Sequence, residues 1–333
     1  MNLSSYEKGK QTMITVTNLT KRYGPTLAVD NISFEVKGGE ILGFLGPNGA
    51  GKSTTMKILT CYMPPDEGKA TLDDLDTLED SLKIREKIGY LPENTPLYHD
   101  MGVVDYLKFV AEVRKIPRNM RKKRIKETAH LCGLDKELGK NIGQLSKGFR
   151  QRVGLAQTLI HNPDILILDE PTTGLDPNQI IEIRSLIKEI GREKTVILCS
   201  HILPEVQATC NRIIIIKEGK IVGSGTPEEL AARAQGGEEI VYISINGPQD
   251  KIQEQLEAME NVRSCRLLDS EVGDSGNGGG HRFEVKSQGG VDIRESLFHL
   301  VVRNQWSLTE LQRMHITLED VFKQLTVDVD VDH

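Results

Sequence analysis

Hydrophobic and polar residues alternate along two early stretches, Met13–Leu19 and Leu27–Val36, with a hairpin-like break at Lys21–Pro25. A period of two predicts strands with one buried face. Glu40–Leu45 reads as a short buried strand, followed by glycines and a helical pattern from Lys52 to about Cys61. Residues 77–88 and 103–139 are rich in helix formers, with Val103, Leu107, Val110 and Val113 at helical spacing, which predicts an all-helical insertion. Ile165–Leu168 and Thr195–Cys199 are continuously apolar, as expected of strands buried on both faces of a parallel sheet. Gln179–Gly191 reads as the crossover helix between them, ending at a glycine, and Ile213–Ile216 is a further strand-sized run. This alternation of strand and helix predicts an α/β fold.

The pattern changes after Gly225-Thr226-Pro227 and a short helix, Glu228–Ala234. Residues 235–238 read as a linker. Beyond it the chain predicts strand 239–245, helix 248–259, strand 262–269, strand 281–286, helix 291–303 and strand 306–313. That βαββαβ order is ferredoxin-like. Gly273–Gly280 (GDSGNGGG) reads as a flexible hairpin tip, Thr317–Asp320 as a helix cap with acidic first-turn residues, and the VDVDVDH tail as frayed. Two domains are therefore expected, residues 13–234 with the helical insertion at about 94–160, and a small α+β domain over 238–326. The sequence holds no internal repeat.

Composition narrows the classes. Lys plus Arg total 42 and Asp plus Glu 48, so the net charge of −6 argues against a dedicated nucleic-acid binder. No apolar stretch approaches the ~20 residues of a membrane helix. The opening MNLSSYEKGKQ lacks the apolar core of a signal peptide, so a cytoplasmic location is expected. The cysteines, Cys61, Cys132, Cys199, Cys210 and Cys265, are widely spaced and form no C-x-x-C, which supports neither a disulfide framework nor a zinc site.

The chemistry begins at Gly46-Pro47-Asn48-Gly49-Ala50-Gly51-Lys52-Ser53-Thr54, which contains G-x-x-x-x-G-K-[ST] between an apolar strand and a helix. Glycines let the backbone close round phosphates with its N–H groups pointing inward, and the helix N-terminus adds a positive dipole end. Lys52 can neutralise the outer phosphates and the Ser53 hydroxyl can ligate Mg²⁺. Asp169 and Glu170 follow a buried strand directly, at the sheet edge where open α/β folds bind ligands. Asp169 suits Mg²⁺ coordination. Glu170 suits a general base for water attacking the γ-phosphate, help worth about 10²–10⁴-fold. Ser200-His201 ends a second strand, where a histidine could contact the γ-phosphate or simply form polar surface.

Between these elements lie Leu145-Ser146-Lys147-Gly148-Phe149-Arg150-Gln151-Arg152 and Pro171-Thr172-Thr173-Gly174-Leu175-Asp176. In this order, over roughly residues 13–230, the motifs resemble the ATP-binding subunit of ABC transporters. The phosphate loop resembles its Walker A, Ile165–Glu170 its Walker B, LSKGFRQR its signature, TGLD its D-loop and His201 its switch histidine. The LSKG-aromatic-RQR signature and the ending Leu318-Glu319-Asp320-Val321-Phe322 are similar to the ABC-2 export class, including gliding-motility-associated and drug-export-type ATPases.

The resemblance implies a mixed core sheet with an antiparallel β subdomain. It implies ATP and Mg²⁺ as ligands, with Ser53, Glu93 and Asp169 at the metal and Tyr23 stacked on adenine. It further implies that two subunits, a homodimer being favoured, close head to tail. Ser146 and Gly148 then face the partner's ATP, and Asp176 couples the two sites. A separate membrane permease would supply the pathway, with this chain peripheral on the cytoplasmic face of the inner membrane. Glu93 stands where most relatives carry glutamine; gliding-motility-type relatives carry glutamate there, so the change is not read as inactivating. The basic run Arg121–Arg124 with Lys126 is a solvated helix face or, given where the insertion sits in relatives, a contact for anionic headgroups. The alternative is a soluble ABC ATPase of translation or DNA repair. Those carry two cassettes or long coiled coils, neither of which this chain has. A small-molecule kinase would need neither the signature nor the TGLD segment.

Overall fold

The computed structural model describes residues 11–234, 239–270, 280–289, 291–314 and 317–326. The chain divides into two compact units, Met1–Pro227 with Gln324–His333, and Glu228–Lys323. That division falls at the start of the short helix preceding residue 235. The expected linker at 235–238, most of the glycine-rich tip and the acidic tail lie outside the described residues.

The first unit opens with β1 (Thr12–Tyr23) and β2 (Thr26–Lys37), an antiparallel hairpin whose turn is only Gly24-Pro25, tighter than the sequence suggests. Gly24 adopts φ +56°, a conformation glycine enters without steric cost. Then come β3 (Ile41–Leu45), α1 (Lys52–Leu59), β4 (Glu67–Leu72), β5 (Leu75–Asp76), α2 (Ser81–Lys87) and β6 (Ile88–Leu91). The helical insertion holds α3 (Val103–Val113), α4 (Arg118–Leu131) and α5 (Lys147–Leu159). It is followed by β7 (Ile165–Asp169), α6 (Pro177–Ile190), β8 (Thr195–Ser200), α7 (Leu203–Thr209), β9 (Arg212–Lys217) and β10 (Lys220–Gly225).

Two sheets result. One is antiparallel, in the order β2-β1-β4-β5. The other runs β10-β9-β3-β8-β7-β6, parallel except for the antiparallel edge strand β10. β3, β7 and β8 are buried at every position, which explains their unbroken apolar runs. A single apolar core joins the two sheets, with Leu19, Phe34 and Leu72 on one side and Phe44, Ile167 and Ile214 on the other. Met56 and Leu59 of α1 complete it. Gly43 in β3 admits α7, since a Cβ there would lie 2.3 Å from Val206 Cγ1.

Three expectations change in this unit. The helix expected over 77–88 shrinks to α2, because Ile88 starts a strand paired with β7. The helical stretch 103–139 breaks at Lys115, which has φ +56°, and Pro117, and its second helix ends at Leu131. The helix after the phosphate loop stops at Leu59, two residues before Cys61, which sits at φ +57°.

The second unit contains α8 (Pro227–Ala234, all but its first residue), β11 (Ile240–Asn246), α9 (Gln249–Glu257), β12 (Val262–Ser270), β13 (Gly280–Ser287), α10 (Arg294–Arg303) and β14 (Ser307–Met314), and α11 (Leu318–Thr326) begins there. Its sheet is antiparallel in the order β12-β13-β11-β14. Numbering these four strands by sequence gives 2-3-1-4, the ferredoxin-like arrangement. Val241, Ile243, Ile245, Phe283 and Val285 meet Ile252, Leu256, Leu297 and Val301 of α9 and α10 in a separate core. Thr317 and Asp320 cap α11 reciprocally: Thr317 N donates to Asp320 Oδ2 at 2.9 Å, and Asp320 N to Thr317 Oγ1 at 3.3 Å.

Candidate active site

Sheet register brings the chemistry together. Leu45 pairs with Ser200, Asp169 with Cys199, and Leu91 with Leu168, so the segments after β3, β6, β7 and β8 all leave one edge of the sheet. That edge is where open parallel sheets bind ligands. A cavity of about 530 Å³ opens there, lined by Asn48, Gly49, Gly51, Lys52, Ser53, Thr54, Glu93, Glu170 and His201, together with Ala28 and Thr173.

The phosphate loop is held rigidly. Gly51 sits at φ +104°, and a Cβ there would lie 2.3 Å from the carbonyl oxygen of Ala28. A Cβ at Gly46 would lie 2.3 Å from the carbonyl oxygen of Ile216. Ala50 is buried, whereas Gly49 faces open space. Lys52 Nζ donates to the carbonyls of Gly46 at 2.8 Å and Pro47 at 3.1 Å, and lies 3.6 Å from Glu170 Oε1. The ammonium is thus positioned before any phosphate arrives.

Glu170 is buried and adopts φ +51°, left-handed for a residue with a Cβ, which costs about 1–3 kcal/mol. Its N–H donates to the Cys199 carbonyl at 3.0 Å, tying β7 to β8. His201 Nδ1 lies 2.9 Å from Glu170 Oε2, and the Thr173 hydroxyl reaches the same oxygen at 3.4 Å. Asp169 is 2% exposed. Burial pushes its carboxyl above the ordinary range, and the charges of Glu170 and Glu93 add to this, against the Ser53 side-chain hydrogen bond and Lys52. Its Oδ1 has no hydrogen-bond partner. A buried, half-satisfied carboxylate beside a serine hydroxyl, with Glu93 on the cavity wall, is a donor set that fits a hard cation. Among the described residues no cluster of His, Cys, Asp or Glu forms a protein-only cage.

The remaining expected residues lie elsewhere. Ser146 caps α5, accepting from Phe149 N at 3.4 Å, and Asp176 caps α6, accepting from Gln179 N at 2.9 Å. The two helix starts are neighbours, since a Cβ at Gly148 would lie 2.6 Å from Gln179 Cδ. Lys147 folds back over the D-loop segment, its Nζ 2.0 Å from where a Cβ on Gly174 would be. None of these lines the cavity of its own chain. Tyr23 is half-exposed outside the lining, its hydroxyl 3.1 Å from Met63 Sδ. Sequence reasoning missed Ala28 and Thr173 as cavity residues. Thr173 lay within the quoted P-T-T-G-L-D segment, whereas nothing marks an alanine in a strand.

A phosphate-binding loop, strand-end acids and a histidine on one sheet edge, with a helical insertion bearing the signature, define a nucleotide-hydrolysing cassette. Residues 29–173 match the family model described as ABC transporter. The chain is 32% identical over 317 residues to the linearmycin resistance ATP-binding protein LnrL of Bacillus subtilis, covering 94% of this chain and 98% of that one. It is 38% identical to the bacitracin transport ATP-binding protein BcrA of Bacillus licheniformis, covering 63% and 69%. The dimeric post-hydrolysis structure of the ATP-binding cassette MJ0796, bound to ADP and Pi, superposes with a TM-score of 0.59 at 28% identity, covering 64% of this chain and 98% of that one. The chain belongs to the ABC transporter family, as an ATP-binding, ATP-hydrolysing subunit of the export type. Among the described residues, no helix is long and apolar enough to cross a membrane.

Proposed function

We propose that this chain drives export through a separate permease by closing head to tail with a second copy over two ATP molecules. The carrying observation is the division of labour within one chain. Lys52, Glu170 and His201 share a cavity, whereas Ser146, Gly148 and Asp176 cluster outside it at two helix starts. A helix N-terminus is an anion site, so Ser146 and Gly148 at the start of α5 suit the γ-phosphate of a partner's nucleotide, and Asp176 at the neighbouring helix start couples the two sites.

In this reading Glu170 orients and deprotonates the attacking water, and His201 holds Glu170 and contacts the γ-phosphate. Ser53, Glu93 and Asp169 would hold Mg²⁺, which would supply neutralisation of the triphosphate charge. Tyr23 meets the adenine. Loss of the γ-phosphate removes the bridge between the copies, a two-state switch. The permease seats in the groove of about 810 Å³ near α2, β6 and the end of α3, where Tyr62, Leu82 and Val113 are exposed beside Arg85 and Arg114. Docking there would hold the chain peripherally at the cytoplasmic face of the membrane.

The test is Glu170→Gln. It is expected to keep ATP binding, to lower turnover by about 10²-fold or more, and to leave ATP-dependent dimers that persist on a sizing column. Parental turnover would remove Glu170 from its role.

A further inference from the structure

Glu205, in α7, is 4% exposed yet belongs to none of the motifs. Its Oε2 accepts hydrogen bonds from the Thr172 hydroxyl and, at 3.4 Å, from Ser200 Oγ. Its Oε1 has no partner. Thr172 and Ser200 are themselves buried. Thr172 stands two residues after Glu170, and Ser200 one residue before His201. The contacts therefore close a ring: Glu170 to Thr172 along the chain, Thr172 to Glu205, Glu205 to Ser200, Ser200 to His201, and His201 back to Glu170 at 2.9 Å. Ser200 Oγ also accepts from Ile202 N at 3.0 Å, fixing the turn that carries His201.

Burying a half-satisfied carboxylate is costly, and a plain apolar residue would pack α7 more cheaply. What the carboxylate adds is a fixed distance between two strand ends. Glu170 needs such support, because its left-handed backbone persists only where its surroundings over-determine it. We propose that Glu205 is a positioning residue that locks the segment after Glu170 to the turn before His201, so that base and histidine are held as one unit. The proposal rests on the roles given to Glu170 and His201 above.

The experiment uses the purified full chain and measures kcat for ATP hydrolysis, the Kd of a fluorescent ATP analogue, and the thermal midpoint. Thr172→Val keeps shape and removes the donor; Glu205→Ala removes the acceptor. Each is expected to lower kcat on the order of tenfold, the scale of a slightly misplaced reacting group, with Kd within about twofold of the parent. Glu205→Gln and Thr172→Ser, which keep an acceptor and a donor, are expected to restore most of the turnover. The double variant should be no slower than the worse single one, because both break one link. The proposal is overturned if Thr172→Val turns over at the parent rate, if the two losses multiply, or if Kd weakens in step with kcat. Thr172→Val decides the matter should Glu205→Ala fold poorly. Glu170→Gln in the same assay separates the two readings. A parental Glu170→Gln rate sinks the site assignment, whereas a dead Glu170→Gln beside a parental Thr172→Val sinks only Glu205.

Discussion

At Asp169, burial works against charge. Its carboxyl is raised above the usual range, so the folded state binds a proton more tightly than the unfolded chain does. Stability therefore falls as pH rises from the ordinary carboxylate value, about 4, through the raised one, and the penalty is full above it. Asp169→Asn should melt higher than the parent in nucleotide-free protein at neutral pH, and the gain should vanish in acid. Thermal scans across pH check this, and a variant that melts lower at neutral pH would contradict it. Gly51 makes the opposite kind of demand. At φ +104°, with the Ala28 carbonyl 2.3 Å from any added Cβ, alanine must push the loop open. Backbone incompatibility alone costs about 1 kcal/mol or more, and the clash adds to it. Gly51→Ala is expected to weaken ATP-analogue binding by at least about tenfold in a direct titration.

At the level of elements, α7 leans on β3 through Gly43. Overpacking of this kind costs about 1–3 kcal/mol. Gly43→Ala should therefore lower the thermal midpoint by roughly 2–12 °C, given about 2–4 °C per kcal/mol in a unit of this size. It should also slow turnover, since the displaced helix carries Glu205. Elements were legible where burial was complete or strictly alternating. β3, β7, β8 and the ferredoxin-like order could be read directly, because a strand buried on both faces has no polar interruption. β4, β5 and β6 were not legible: the first starts Glu67-Gly68-Lys69, the second is two residues long, and the third is four residues abutting a helix. Short elements make their case through pairing, and β6 is a strand because β7 lies beside it.

On the scale of the whole molecule, every residue lining the nucleotide cavity falls between Ala28 and His201, within the first unit. Truncation after about Arg233, which removes Gln324–His333 of the first unit along with the second, is therefore expected to leave ATP-analogue affinity within about twofold, since none of the removed residues lines the cavity and the second unit has its own core. A folded truncation that loses affinity would contradict this. The candidate site was legible as separate motifs but not as an assembly. The G-x-x-x-x-G-K-S loop and Asp169-Glu170 stand out as residue types at fixed spacing. The 3.6 Å approach of Lys52 to Glu170 and the His201 contact span more than a hundred and about thirty residues, and only sheet register brings them together. Glu205 carries no signal in the sequence, because nothing local reports its burial. The placement of Ser146 and Gly148 outside their own cavity also has a genetic consequence. If each hydrolytic centre is completed by the other copy, a defective allele does more than dilute the healthy one. In a cell expressing both, most pairings would contain at least one Glu170→Gln copy and would stay shut, so the lesion should behave as dominant.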